Sequence, residues 1–127
     1  MSDWRWIAVD VVYAIHERQL DEHGGLDGVR DPNSVESALG RPRHLATYEE
    51  PDAAALAACY AFGLARNRGF SDGNKRTAWV VARLFLADNG FSLRFEPVDA
   101  IRTMLDVASG TMSEEQLAHW FRKRLGS

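Results

Sequence analysis

The sequence has few of the features that mark secreted, membrane-bound or nucleic-acid-binding proteins. It contains one cysteine, Cys59, so neither an intramolecular disulfide nor a cysteine-based metal site is expected. It has no signal peptide and no apolar run long enough to cross a membrane. The net charge of −3 argues against broad binding to nucleic acid or to membranes. We therefore expect a cytoplasmic protein with no nucleic-acid and no membrane partner.

The length and the composition are those of a single globular domain. A chain of 127 residues, of which 46% are hydrophobic, can bury a substantial core. No internal repeat, low-complexity tract or linker divides the sequence. One domain over residues 1–127 is predicted.

Apolar residues recur at helical spacing through most of the chain, which predicts an all-α, compact bundle of about six helices. A short helix begins at Asp31-Pro32 and is expected to stop at Gly40, and Ser113 begins a capping box for the last helix. Residues 91–95 alternate apolar and polar and predict either a short strand or an extended packing segment. The other predicted helices cover residues 9–22, 52–67, 74–89 and 97–109.

One stretch, Arg68 to Ala78, carries a carboxylate, glycines, an amide and several cations between two of these helices. It is predicted to be a short loop that runs into a helix N-terminus, where free backbone N–H groups and the helix dipole attract anions. Residues 61–90 hold five cations against two carboxylates in an otherwise acidic chain. The stretch is a phosphate-binding site in outline.

Taken alone, the tetrapeptide GNKR describes an ordinary helix start with surface cations equally well. The P-loop pattern is absent, because Gly69 and Gly73 are wrongly spaced and Lys75 does not follow a glycine. The chemistry of the stretch therefore has to be argued from more than these four residues.

The longer string FxDGNKRTA between two helices resembles the signature of the Fic superfamily, HxFx(D/E)GN(K/G)R. The lysine after the asparagine and the short chain are most similar to the Doc (death-on-curing) branch. The similarity extends over nearly the whole chain. It includes Tyr13 to His16, Gly24 to Gly28, Asp31-Pro32, Gly40-Arg41, Tyr48 to Glu50, Leu84 to Leu86 and Asn89-Gly90.

The resemblance implies a role for each residue of the motif. Asp72 would hold magnesium, although an aspartate at this place also suits the N-cap of the following helix. Gly73 and Asn74 would form an anion hole, to which the amide of Asn74 could also donate. Lys75 and Arg76 would neutralise nucleotide phosphates. ATP and Mg²⁺ are the implied cofactors.

The chain departs from the family at the residue that matters most for catalysis. The family has its catalytic histidine two residues before Phe70, the buried anchor of the loop, and this chain has Arg68 there. Histidine can accept a proton from an attacking hydroxyl, whereas an arginine stays protonated and has no acceptor atom. A site with Arg68 is expected to bind nucleotide and to transfer phosphate poorly or not at all.

Residues 41–50 have no helical period and predict a plain loop. The resemblance implies instead a short hairpin, the flap that holds the target polypeptide beside the active site. Its candidate contact residues are Arg43, His44 and Tyr48.

The branch decides the reaction that the resemblance implies. Adenylyl transferases of the family carry a glycine in place of Lys75 and an arginine in place of Trp79. Doc-like sequences are thought to bind ATP reversed and to transfer its γ-phosphate to a hydroxyl of a protein, elongation factor Tu being the family's known target. By resemblance, the chain is the toxin of a toxin-antitoxin pair that inhibits translation, with a co-encoded antitoxin as its partner.

Three hypotheses remain open at this point. The first is a Doc-type protein kinase whose position 68 has been altered, by nature or by design. The second is a nucleotide-binding pseudoenzyme, or an antitoxin-like partner, in which Arg68 improves anion binding. The third is an adenylyl transferase, which Lys75 and Trp79 disfavour.

Overall fold

The computed structural model describes residues 3–126, which form six helices and one small two-stranded sheet. The helices are α1 (Val9–His23), α2 (Pro32–Tyr48), α3 (Ala53–Asn67), α4 (Asn74–Asp88), α5 (Pro97–Ser109) and α6 (Glu114–Arg124). Strands β1 (Ser92–Leu93) and β2 (Leu125–Gly126) pair antiparallel. The all-α prediction is confirmed.

Helix α3 is the centre of the bundle. It packs against α2, α4, α5 and α6, and eleven of its fifteen residues are buried. Many of these residues are alanines, whose small side chains let the neighbouring helices approach closely on several sides. Tyr60 is fully buried among them, and its hydroxyl accepts a hydrogen bond from the backbone N–H of Ile7 at 3.0 Å. The N-terminal segment is thereby fixed to the core.

The predicted helix ends are confirmed where a local cap fixes them. Asp31 caps α2 by accepting hydrogen bonds from the N–H groups of its first turn, and Pro32 follows as the first helical residue. Asp52 caps α3, and Ser113 forms the predicted capping box with Gln116 at the start of α6. Gly110, in the left-handed conformation, ends α5.

The predicted end of the second helix was wrong, and so was the expected loop or hairpin over residues 41–50. Helix α2 passes through Gly40 and Pro42 and ends at Tyr48. A proline inside a helix removes one hydrogen bond and costs about 3 kcal/mol. Burial offsets this cost, because α2 packs on α3 and both Leu39 and Pro42 are buried. Arg41 adds a second anchor through its 2.6 Å ion pair with Glu114 of α6.

Within residues 3–126, none of the helices is both long enough and apolar enough to cross a membrane.

Candidate functional site

The motif lies in the loop between α3 and α4, and close packing holds this loop in place. Arg68 follows the last residue of α3 and adopts the left-handed conformation, with φ 50° and ψ 50°. Gly69 is buried against α2, so close that a Cβ atom there would lie 2.4 Å from Cγ2 of Val35. The side chain of Phe70 is 2% exposed and is part of the core, as the family resemblance implied.

The glycine-rich stretch at 24–31 forms one wall of the site. Val29 pairs with Phe70 in an isolated antiparallel bridge, and the N–H of Asp31 donates to the carbonyl of Gly69 at 2.9 Å. In the structure this stretch is bonded to the motif loop along most of the loop's length.

Arg30 is a residue of this wall that sequence analysis missed. Its Nη2 donates a 2.7 Å hydrogen bond to the carbonyl oxygen of Arg68, and its guanidinium borders the same cavity as the motif. Its place directly before the capping Asp31, in a glycine-rich stretch, was the only available signal. No pattern in the sequence connected it to the motif.

The N-terminus of α4 presents free backbone donors to the cavity. Gly73 is the N-cap residue, in the left-handed conformation with φ 78°, and its carbonyl accepts the first helical hydrogen bond from Thr77 N at 3.0 Å. In residues 3–126, the N–H groups of Asn74, Lys75 and Arg76 have no protein acceptor. Three free donors at the positive end of a helix favour an anionic ligand.

Asp72 lies one residue before the cap, so the alternative prediction that it caps α4 was wrong. Its Oδ1 accepts a 2.8 Å hydrogen bond from Gly73 N, and its Oδ2 accepts one of 3.3 Å from Leu26 N. These two bonds, and then the charges of Arg76 and Lys75, lower the pKa of the Asp72 carboxyl. The carboxylate is therefore ionised at neutral pH.

The donor chemistry at Asp72 fits a magnesium ion. An ionised carboxylate has about four acceptor sites, and the two hydrogen bonds leave part of them free. Magnesium in nucleotide sites typically takes one or two carboxylates, with phosphate oxygens and water in its other positions. Within residues 3–126, no group of three or more His, Cys, Asp or Glu side chains converges on a common point.

The side chain of Asn74 holds the loop together. Its Oδ1 accepts from Phe70 N at 3.1 Å, and its Nδ2 donates to Phe70 O at 3.0 Å. One of the two N–H donors of this amide is thereby bonded to the protein, and the expectation that the amide also donates to an anion stays a prediction for the other donor. The backbone N–H of Asn74 has no acceptor among residues 3–126 and is also free for a ligand.

His16 of α1 lies beneath the loop. Its ring stacks on the ring of Phe70 with 3.8 Å between centroids and 11° between planes, and its Nε2 lies 2.8 Å from the carbonyl oxygen of Asp72. Its exposed fraction is 3%, so His16 is a packed, hydrogen-bonded histidine. With Nε2 bonded and the ring buried, His16 does not replace the missing base.

The resulting cavity, of about 360 Å³, is strongly cationic. Four positively charged side chains border it, from the glycine-rich stretch, the end of α3 and the start of α4, and Asp72 is the one carboxylate among its lining residues. The four cations are Arg30, Arg68, Lys75 and Arg76. The arrangement is suited to a ligand with several negative charges, such as a polyphosphate.

The residues expected to form the target flap lie away from this cavity. Arg43 borders a groove beside the N-terminal segment, and His44 and Tyr48 line a separate cavity of about 520 Å³ between α2, α3 and α6. All three side chains are exposed on the second half of α2. The structure does not bring them together with the motif.

Comparison with known proteins connects this geometry to a family. The model described as the Fic/DOC family matches residues 6–86, which include the motif loop and the glycine-rich wall. The chain is 34% identical over 124 residues to the protein kinase doc of Escherichia phage P1, covering 97% of this chain and 98% of that relative. It is 43% identical over 74 residues to the toxin Doc of Mycolicibacterium smegmatis, covering 55% of each chain.

Proposed function

The chain belongs to the Fic/DOC family, and from this premise we propose that it is a Doc-type toxin built to transfer the γ-phosphate of ATP to a protein hydroxyl. The observation that carries the proposal is the cationic cavity at the start of α4, where three free N–H groups meet four cations and one carboxylate. A phosphoryl transfer relies mainly on positioning and on charge neutralisation, and this cavity supplies both.

Each group of the cavity has a role in this proposal. The free N–H groups of Asn74, Lys75 and Arg76 bind phosphate oxygens, and the side chains of Lys75 and Arg76 neutralise their charge. The Asp72 carboxylate holds magnesium, which supplies further neutralisation of the phosphate oxygens when it is bound. Gly73 adopts the left-handed conformation, with φ 78°, that begins α4 at the edge of the cavity.

Arg68 makes the proposed enzyme weak or inactive. General base catalysis typically contributes about 10²–10⁴ in rate, and an arginine cannot accept the proton of the attacking hydroxyl. The backbone at this position supports the return of a histidine, since histidine is among the residues that adopt the left-handed conformation more readily than most. Arg68→His is therefore expected to fold without new strain.

The relatives support the reaction class and the partner, because one is named a protein kinase and the other a toxin. We therefore take a co-encoded antitoxin as the partner. Elongation factor Tu is taken as the acceptor from the family resemblance alone. A groove of about 470 Å³ between α4 and α5 is suited to binding a peptide. It is lined by the exposed apolar side chains of Ile101 and Leu105 and by the cations Lys75 and Arg76. An antitoxin segment with apolar and acidic residues suits this surface.

The antitoxin groove can be tested apart from the nucleotide site. Ile101 is 64% exposed, so Ile101→Asp is expected to leave the fold and ATP binding unchanged and to weaken antitoxin binding at least tenfold. Calorimetry with the antitoxin measures this change. Unchanged antitoxin binding would place the antitoxin elsewhere.

A second candidate function rests on Arg68 itself. A fourth cation in the cavity strengthens binding of a polyphosphate while removing the base, as expected of a nucleotide-binding pseudoenzyme. It predicts tight ATP binding and no transfer, even after Arg68→His.

The deciding experiment uses magnesium, elongation factor Tu and ATP labelled at the α or the γ position, with the parent protein and with Arg68→His. The expected result is that elongation factor Tu takes up label from the γ position alone, and takes up more with the histidine variant. Label from α would indicate adenylyl transfer instead. ATP binding without any label from either protein would favour the pseudoenzyme and contradict the kinase proposal.

A further inference from the structure

His16 contacts the motif from outside it and has no part in the chemistry proposed above. It comes from α1, more than fifty residues before the loop, yet it contacts both the anchor Phe70 and the backbone of Asp72. A buried histidine used only for packing needs an acceptor for its N–H. Here that acceptor is the carbonyl of the residue whose carboxylate faces the cavity.

The hydrogen bond has a defined direction. A carbonyl oxygen can only accept, so Nε2 of His16 carries the proton and donates it to Asp72 O. The carbonyl and the N–H of one planar trans peptide point in opposite directions. By holding the Asp72 carbonyl towards α1, His16 turns the N–H of Gly73 away from α1, where it bonds Oδ1 of Asp72 at 2.8 Å.

From this geometry we infer that His16 is a positioning residue, whose hydrogen bond to the Asp72 carbonyl orients the Asp72 carboxylate and the Gly73 peptide for binding a metal-bound nucleotide. The inference rests on the proposed function of the cavity. It assigns to the hydrogen bond a role in ligand binding, and to the stack on Phe70 a role in stability.

Two substitutions separate the ring from the hydrogen bond. His16→Phe keeps an aromatic ring against Phe70 and removes the donor. His16→Gln loses the ring, but its amide nitrogen reaches about the position of the imidazole Nε2 and can still donate. A third variant, Tyr13→Leu, is the control. Tyr13 lies on the same helix as His16 and packs edge-on against Phe70, with 5.9 Å between the ring centroids, but it has no hydrogen bond to Asp72.

The first readout is the affinity for ATP with magnesium, measured by calorimetry well below the unfolding temperature of each variant. His16→Phe is expected to bind about tenfold more weakly, as the loss of one positioning hydrogen bond implies. His16→Gln is expected to bind within about threefold of the parent although it is less stable. Tyr13→Leu is expected to lose stability without losing affinity.

The second readout needs no nucleotide. Amide hydrogen exchange of Gly73, followed by NMR, is expected to be about tenfold faster in His16→Phe and close to the parent rate in His16→Gln. Parental exchange in His16→Phe, or fast exchange in a folded His16→Gln, would overturn the inference. If the parent fails to bind ATP, the proposed function fails, and the exchange rates still decide the role of His16.

Discussion

Asn74 gives the sharpest test of how the motif loop is held. Asn74→Ala removes two hydrogen bonds, of 3.1 and 3.0 Å, and leaves the N–H and the carbonyl of Phe70 without partners. An unsatisfied buried group costs about 1–3 kcal/mol, and these bonds are partly buried, so the free energy of unfolding should fall by about 2–3 kcal/mol. For a chain of this length, that loss lowers Tm by about 7–11 °C.

Urea denaturation and a thermal melt of the parent and the variant measure this loss. Asn67→Ala is the matched control, because the Asn67 side chain makes one exposed hydrogen bond, to the carbonyl of Ser34. It should cost less than about 1 kcal/mol. Equal losses in the two variants would refute the claim that Asn74 holds the loop together.

Three further perturbations test the packing, the core thiol and the cavity wall. Gly69→Ala should destabilise the fold by about 1–3 kcal/mol in urea denaturation, because its Cβ would overlap Val35, whereas Gly40→Ala, with free space around it, should stabilise α2 by about 0.5–1 kcal/mol. Burial raises the pKa of Cys59 from 9.0 to about 12, so above pH 9 the unfolded chain loses this proton and the folded chain keeps it. Stability should therefore fall by roughly 1 kcal/mol between pH 9 and pH 10, relative to Cys59→Ala. Arg30→Met should weaken calorimetric ATP binding about tenfold, because it removes one cation and its bond to the loop.

Each of these expectations has a contradicting outcome. If Gly69→Ala left the free energy of unfolding unchanged, α2 would be free to move relative to the loop. If the stability of the parent and that of Cys59→Ala changed with pH in the same way, the thiol would not be shielded from water. Unchanged ATP affinity in Arg30→Met would exclude the glycine-rich wall from the nucleotide site.

The fold was predictable from the sequence wherever local signals decided the outcome. Asp52 and Ser113 each mark a helix start by their own hydrogen bonds, so the beginnings of α3 and α6 follow from the residue types. Helix α2 was not predictable beyond Gly40, because Gly40 and Pro42 are local helix breakers. Their effect is outweighed by the packing of α2 on α3, which is a tertiary interaction.

The candidate site was predictable only in its contiguous part. The string from Phe70 to Arg76 predicted an anion-binding helix start, and the structure places these residues around one cavity. Arg30 and His16 were not predictable as parts of the site, since only the folded chain brings α1 and the glycine-rich wall to the loop. The direction of the Asn74 side chain is set by a local contact with the backbone of Phe70, four residues earlier, which the residue types alone did not indicate.

The measurement that tests the central claim most directly is the initial rate of γ-phosphate transfer to elongation factor Tu by Arg68→His and by the parent. If the cavity is a Doc-type kinase site that lacks only its base, the variant should be faster by about 10²–10⁴. ATP affinity should fall by no more than about tenfold, because three of the four cations remain. Equal rates in the two proteins, with ATP bound to both, would contradict the account.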